Sequence, residues 1–166
     1  PTKRSPGIPL AWRHFELQRM RNSLKPSTRR SPINPLLNTP GPTDGTEILW
    51  DTYGVPHIFA PDHASLFYAY GYAQMEAHAE LLVRLYAQAR GRAAEFYGEE
   101  YLDEDRWVRT NGIHERASEW AAQQSPEFYP LLQAFANGLN ARAAEQAESL
   151  TVAARAVLPL TVKDVL

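Results

Sequence analysis

The sequence has no cysteine among its 166 residues, so it forms no disulfide bond and carries no thiolate chemistry. It also lacks any apolar run near the roughly 18 residues that a membrane-spanning helix needs, so we expect no membrane partner. A large excess of one charge sign is missing too, because the formal net charge is −2. We therefore expect no nucleic-acid partner for the chain as a whole. What remains is an ordinary globular composition, with 44% hydrophobic and 22% charged residues.

Charge and proline are unevenly distributed along the chain. Residues 1–45 hold 8 Lys and Arg against 2 Asp and Glu, together with 8 of the 13 prolines. Residues 46–166 hold the remaining 9 basic and 17 acidic residues. We predict a basic, proline-rich N-terminal arm over 1–45 and a folded body over 46–166. The arm either binds an anionic polymer or lies over a partner with its charges in water; its scattered basic residues favour the second interpretation.

The body begins with a pattern typical of two short strands, at residues 47–51 and 57–60. Gly54 and Pro56 lie between them and favour a hairpin-like turn. Two strands alone are marginal in water, so the pair needs a further sheet to join. The rest of the body predicts helices.

Helical periodicity covers most of the remaining body. Pro61 and Asp62 predict a helix start, and Gly71 either interrupts that helix or packs closely against a neighbour. Further helices are predicted over 113–123, with Trp120 facing inward, and from Ser125 onward. The longest apolar stripe consists of Tyr72, Met75, Ala79, Leu82, Tyr86 and Ala89.

Metal-ligating residue types occur in two places, and neither predicts a metal site. His57, Asp62 and His63 lie near one another in sequence without a familiar ligand spacing, and His57 is better explained as a structural histidine. The acidic residues over 99–105 do not match a calcium-binding loop and are predicted as a solvated acidic loop. We expect no metal and no cofactor.

The chain carries no recognisable catalytic motif of its own. It has no Gly-x-Ser-x-Gly or Ser-x-x-Lys sequence and no glycine-rich phosphate loop. Near the C-terminus, Thr161 and Asp164 form a variant of the capping box that opens a helix. That helix has barely begun at Leu166, and the chain starts at Pro1, so we expect residues of a longer precursor to be missing.

Four segments in order resemble the penicillin amidase family of N-terminal-nucleophile hydrolases. They are residues 53–58 (Tyr-Gly-Val-Pro-His-Ile), 71–73 (Gly-Tyr-Ala), 90–98 (Arg-Gly-Arg-Ala-Ala-Glu-Phe-Tyr-Gly) and 131–140, which ends in Gly-Leu-Asn. The chain resembles the small (α) subunit, most of all in acyl-homoserine lactone acylases and lipopeptide acylases such as aculeacin A acylase. One departure is that Ala77 and His78 stand where the family has Asp followed by Arg or Asn, with Glu76 and Glu80 beside them.

The resemblance implies a fold and a partner. It implies that this mostly helical chain with its strand pair is part of an αββα sandwich completed by a large (β) subunit cut from the same precursor. It also implies a periplasmic or secreted enzyme. The catalytic serine is the first residue of the large subunit, with its own α-amino group as base, so no catalytic residue is expected in this chain.

The resemblance further implies a function: hydrolysis of the amide bond of N-acyl-homoserine lactones (quorum quenching), with penicillins as further substrates. In the family the small subunit helps to wall the acyl pocket near its C-terminus, which makes Leu158, Leu160, Val165 and Leu166 the candidate substrate-binding residues. The alternative from a different class is a small helical binding module whose basic arm contacts an anionic polymer. It predicts autonomous folding and salt-sensitive binding to nucleic acid.

Overall fold

The structure is a computed structural model that describes residues 44–166 and the backbone of residues 25 and 26. Ile48–His57 belong to one compact unit and Ile58–Leu166 to another. The helices are numbered in chain order, and short 3₁₀ turns lie at Glu99–Tyr101 and Ala147–Ser149. The elements are β1 (Lys25–Pro26), β2 (Glu47–Trp50), β3 (Pro56–Phe59), α1 (His63–Ala89), α2 (Ala93–Tyr97), α3 (Leu102–Thr110), α4 (Ile113–Gln123), α5 (Tyr129–Glu145), α6 (Val152–Val157) and α7 (Val162–Val165).

The predicted strand pair is confirmed, with β2 and β3 side by side in the sheet. The sequence interpretation missed a third strand, β1, which pairs antiparallel with β2 so that Lys25 faces Trp50 and Pro26 faces Leu49. A proline in this strand is compatible with its place at the edge of the sheet. Proline has no backbone N–H to donate, and an edge strand has a neighbouring strand on one side only. The rest of the predicted arm, residues 1–24 and 27–43, lies outside the described residues.

Helix α1 is the longest element and begins where Asp62 was predicted to start it. The Asp62 carboxylate accepts a hydrogen bond from the Ser65 backbone N–H at 2.8 Å, which satisfies one of the free donors of the first turn. The helix is kinked at His78, whose φ and ψ of −140° and 33° are not helical. At this kink the Gln146 side chain donates to the Met75 carbonyl at 2.9 Å. A side chain that inserts into the backbone ladder is a known cause of such kinks.

Gly71 does not interrupt α1; it is a point of close packing against α5. A Cβ added at Gly71 would lie 2.2 Å from the Phe135 carbonyl oxygen, and one added at Gly138 would lie 1.9 Å from the Tyr68 carbonyl oxygen. Each glycine therefore lets its own backbone contact the backbone of the other helix. This contact fixes where α1 and α5 cross, and it explains why both glycines occur in helices despite their low helix propensity.

The core lies between α1, α5 and the C-terminal segment. Met75, Val83, Leu139 and Val157 are its largest fully buried side chains. Burying each stabilises the fold by about 1.5–3 kcal/mol relative to exposure. Beyond the kink, Val83 and Ala87 are buried while Ala89 is exposed, so the apolar face has rotated away from the end of the predicted stripe.

Three details of the helical prediction are wrong. The acidic residues over 99–105 are not a loop, because Asp103 and its neighbours form the first turn of α3, where carboxylates interact favourably with the helix dipole. Trp120 does not face inward and is 47% exposed, since Ala117 is the buried residue of α4. Ser125 caps a turn by accepting from the Phe128 N–H at 3.2 Å, and α5 begins only at Tyr129.

Candidate functional site

The C-terminal segment, residues 157–166, contains all four predicted substrate-binding residues, and its geometry defines the candidate site. It consists of the end of α6, an extended stretch and the single turn of α7. Such a short segment has few backbone hydrogen bonds of its own. Its position therefore depends on side chains from helices α1 and α5.

Arg90, at the end of α1, makes most of these contacts. Its guanidinium donates from Nε and Nη2 to the two carboxylate oxygens of Asp164 at 2.6 and 2.8 Å. It also donates from Nη1 to the Val157 carbonyl at 2.6 Å and from Nη2 to the Pro159 carbonyl at 2.8 Å. The planar, five-donor guanidinium suits this forked arrangement, which lysine does not reproduce. One side chain thus connects α1 to both ends of the extended stretch.

Asn140, on α5, holds the middle of the same stretch. Its Nδ2 donates to the Leu160 carbonyl at 2.7 Å, and its Oδ1 accepts from the Leu160 N–H at 2.8 Å. The amide therefore pairs with one residue's backbone as a neighbouring strand would. Asn140 follows Gly138 by two residues, so the motif that sets the helix crossing also holds the C-terminal segment.

The predicted capping box at the start of α7 is present. The Asp164 carboxylate accepts from the Thr161 N–H at 2.6 Å and from its hydroxyl at 2.8 Å. Burial raises the pKa of Asp164, but the hydrogen bonds from Arg90 and Thr161 outweigh it and leave the pKa below its ordinary value. Asp164 therefore stays ionised and serves both as a local cap and as the partner of Arg90.

The four predicted substrate-binding residues differ in their surroundings. Leu160 is 2% exposed and is part of the core. Leu158 and Val165 are partly buried and pack against that core, and Leu166 is partly buried at the end of the segment. The structure thus brings the four into one segment, and it leaves side-chain surface only on Leu158, Val165 and Leu166. Their role in binding substrate stays a prediction.

A cleft of about 650 Å³ borders α7 and is lined by none of those four residues. Its lining is strongly charged. The residues are Arg90, Arg92, Val108, Arg109, His114, Glu115, Tyr129, Gln133, Thr161, Val162, Lys163 and Asp164. All three of these arginines already have partners. Arg90 is bound to Asp164, Arg92 pairs with Glu95 at 2.8 Å, and Arg109 donates to a backbone carbonyl.

The segment 90–98 is held in place by side chains of helix α3. The buried carboxylate of Asp105 accepts from the Ala93 and Ala94 N–H groups at 2.9 and 2.8 Å. The Arg109 Nε donates to the Gly91 carbonyl at 2.7 Å. Gly91 has a φ of +61° that other residues rarely adopt, and a Cβ there would lie 3.1 Å from side-chain carbons of α3. The sequence showed the motif but not that α3 supports the end of α1.

The segment 53–58 consists of a tight turn beside Asp51 and the start of strand β3. One carboxylate oxygen of Asp51 accepts from the Tyr53 and Val55 N–H groups, both at 2.9 Å, and the other lies 3.4 Å from His57 Nε2. These bonds, above all the one from Val55, hold the pKa of Asp51 below its ordinary value. His57 therefore lies beside a carboxylate in a turn, as a structural histidine does. Within residues 44–166 no three metal-ligating side chains come together.

Glu76 and Glu80 lie beside Ala77 and His78, where the sequence departs from the pattern of the family that it resembles. Each glutamate contacts another helix or turn. The Glu76 carboxylate lies 3.7 Å from Arg142 Nε on α5. The Glu80 carboxylate accepts from the Thr151 N–H at 2.6 Å and from its hydroxyl at 3.0 Å. The two glutamates thus connect both halves of the kinked helix to the elements that follow it.

Comparison with known proteins identifies relatives of the chain. The Penicillin amidase family model matches residues 45–165. The chain is 34% identical over 95 residues to a penicillin G acylase of Escherichia coli, covering 57% of this chain and 11% of that protein. It is 31% identical over 88 residues to the acyl-homoserine lactone acylase QuiP of Pseudomonas putida, covering 53% of this chain and 11% of that protein.

A solved structure gives the same result in three dimensions. A thermostable penicillin G acylase from Alcaligenes faecalis superimposes with a TM-score of 0.61 at 28% identity, covering 72% of this chain and 67% of that chain. Among the described residues no helix is both long and apolar enough to cross a bilayer. The matched segment spans only about a ninth of the length of the curated relatives, with 11% coverage in both cases.

Proposed function

The chain belongs to the penicillin amidase family, and we propose that it is the small-subunit part of a secreted or periplasmic acylase that hydrolyses the amide bond of N-acyl-homoserine lactones. The match over residues 45–165 carries this proposal. A penicillin G acylase and an acyl-homoserine lactone acylase are about equally similar to the chain, at 34% and 31% identity. Penicillins are therefore the competing substrates.

In the proposed reaction the amide is cleaved by a partner chain. The N-terminal serine of a large subunit from the same precursor attacks the amide carbonyl and forms an acyl-enzyme, the amine leaves, and water releases the carboxylic acid. The α-amino group of that serine is a suitable base, because such groups titrate near pH 7.7–8.0. This chain supplies no reacting group in the proposal.

The proposed contribution of this chain is to wall the acyl pocket. Of the four candidate residues, Leu158, Val165 and Leu166 keep side-chain surface, which in this proposal contacts the acyl chain. Leu160 contributes by anchoring the segment in the core. Arg90 and Asn140 fix the segment's backbone, so they are positioning residues in this account.

A substrate panel tests the proposal. The enzyme is produced from its complete precursor and assayed with acyl-homoserine lactones of increasing chain length and with penicillin G. We expect kcat/KM to rise with each methylene that the pocket buries, by about fourfold per group, because burying one contributes about 0.8 kcal/mol. Faster hydrolysis of penicillin G than of every lactone would make the protein a penicillin acylase, and no hydrolysis of any acyl amide would refute the acylase proposal.

A further inference from the structure

The second half of helix α1 carries an apolar strip that faces away from the core. Leu81 and Leu85 are 46% and 48% exposed, and Ala89 is exposed one turn further on. Residues four apart lie on one face of a helix, so the three form a continuous row. A row of this kind is not explained by the fold of residues 58–166, because Val83 and Ala87 already supply the buried face.

The row leads into a groove between α1 and α3. The groove has a volume of about 480 Å³ and contains Ala89 and Gln88 of α1 on one side and Trp107 and Val108 of α3 on the other. Trp107 is 62% exposed. Leu81, Leu85, Ala89 and Trp107 are called the apolar strip below. Scattered apolar residues on a surface are normal, but a contiguous strip that ends in a groove marks an interaction surface.

We propose that the apolar strip is a contact surface for the large subunit, whose segment places an apolar side chain in the groove. This inference rests on the proposed function. Two observations favour this occupant. The matched segments cover only 11–14% of the relatives, so nearly all of a relative's length lies outside the region matched here. Asp103 and Glu104 also line the groove. Within residues 44–166 only Asp103 of the two has a basic partner, Arg106 at 3.3 Å, so a basic residue beside the apolar anchor would complement Glu104.

A tryptophan and two leucines suit such a contact energetically. Interfaces gain most of their affinity from a few large side chains that become fully buried, and tryptophan is among the most frequent of these. The kink at His78 sets the direction of the half-helix that carries Leu81 and Leu85. The strip is thus carried by two helices, α1 and α3.

Photo-crosslinking on the assembled enzyme tests the surface directly. Benzoylphenylalanine is placed at position 107 or 85 in the complete precursor, and the crosslinked peptides are identified by mass spectrometry. The control position is Val152, which is 75% exposed and lies on α6, outside the strip. We expect positions 107 and 85 to crosslink to the large subunit and position 152 to give none. Crosslinks from the strip to residues 1–43, to a second copy of this chain, or to nothing would overturn the inference.

A pair of substitutions measures the strength of the contact. In the assembled enzyme, Leu85→Ser and Trp107→Ala should each raise the dissociation constant between the two chains by roughly 10-fold or more, since each loses a large buried apolar side chain. Val152→Ser should leave it within about twofold. Equal effects at all three positions would overturn the inference. A preparation without a large chain overturns the proposed function as well, whereas a large chain that dissociates no more readily from either strip variant overturns this inference alone.

Discussion

The helix crossing and the C-terminal segment are held to the same core by different means. At the crossing of α1 and α5, Gly71 and Gly138 bring two backbones into direct contact, with no room for a Cβ. The segment 157–166 is held by polar side chains, chiefly Arg90 and Asn140. Close backbone packing cannot yield locally, because both helices would have to separate. A side-chain contact can break while the rest of the fold stays intact.

This difference has a consequence for function. The crossing sets whether the chain folds, whereas the side chains of Arg90 and Asn140 set where the candidate substrate-binding residues lie. We therefore expect substitutions in the two regions to differ in kind. Those at the crossing should lower global stability, and those around the C-terminal segment should loosen that segment first.

The largest effect is expected at the crossing. Gly138→Ala places a Cβ 1.9 Å from the Tyr68 carbonyl oxygen, so the helices must separate. We expect a loss of about 3 kcal/mol or more in the free energy of unfolding, measured by thermal or urea unfolding of the purified enzyme. Gly112→Ala is the control, because Gly112 has a φ of +61° but an open surrounding, and it should cost only about 1–2 kcal/mol. Equal losses in the two variants would contradict the account of the crossing.

The next effect is expected at Arg90. Arg90→Ala leaves the carboxylate of Asp164, whose side chain is only 3% exposed, without its cation. Removing one partner of a buried ion pair costs about 3–5 kcal/mol, and here the loss should fall first on the segment 157–166. Hydrogen exchange measured on the native enzyme should be accelerated by Arg90→Ala, and the acceleration should be larger in this segment than in α5.

Arg92→Ala is the matched control for Arg90. Arg92 pairs with Glu95 on the surface, where both side chains are about half exposed, so its loss should cost at most about 1 kcal/mol. Arg90→Lys keeps the charge and loses the fork, and we expect it to restore only part of the protection. If exchange in the C-terminal segment were the same in the Arg90→Ala and Arg92→Ala variants, Arg90 would not be its anchor.

A smaller effect is expected at Asn140. Asn140→Ala leaves the N–H and the carbonyl of Leu160 without their partner, which costs about 1–3 kcal/mol for such buried groups. Asn137→Ala removes a hydrogen bond to Gln133 on the surface of the same helix and serves as the control. Unfolding midpoints that coincide in the two variants would show that the Asn140 amide does not hold the segment.

The smallest effect is a dependence on pH. The pKa of Asp164 lies below its ordinary value of 3.8, so its contribution to stability is present above that pH and is lost as the pH falls through the folded-state pKa. Hydrogen exchange in residues 157–166, corrected for the intrinsic rate, should therefore accelerate below about pH 4. Asp164→Asn should remove this acid dependence. A variant that retained the full dependence would assign it to another carboxylate.

Sequence reasoning succeeded where the cause is local. Thr161 and Asp164 lie three residues apart, so their capping box follows from spacing, and Asp62 likewise caps the turn beside it. The sequence predicted that Gly71 either interrupts the helix or packs closely against a neighbour, because a glycine within a helix is compatible with each of these. Partners distant in sequence could not be predicted: Arg90 and Asp164 are 74 residues apart, and the partner of Gly71 lies on α5.

The dependence on partners that are distant in sequence also explains the errors of the sequence-based prediction. At the kink, the Met75 carbonyl accepts a hydrogen bond from Gln146, which is far along the chain, and periodicity alone placed the apolar face of α1 incorrectly near Ala89. Trp120 follows the apolar pattern of α4 yet is exposed within the described residues. For the candidate site, the sequence indicated the segment and the structure supplied the residues that position it.

The most direct test of the central claim is denaturing mass spectrometry, with N-terminal sequencing, of the enzyme prepared in its native form. We predict two species, this chain and a much larger chain that begins with serine. A preparation that is folded and active in which the 18.7 kDa chain is the only species would contradict the account, and the helical binding module with a basic arm would replace it.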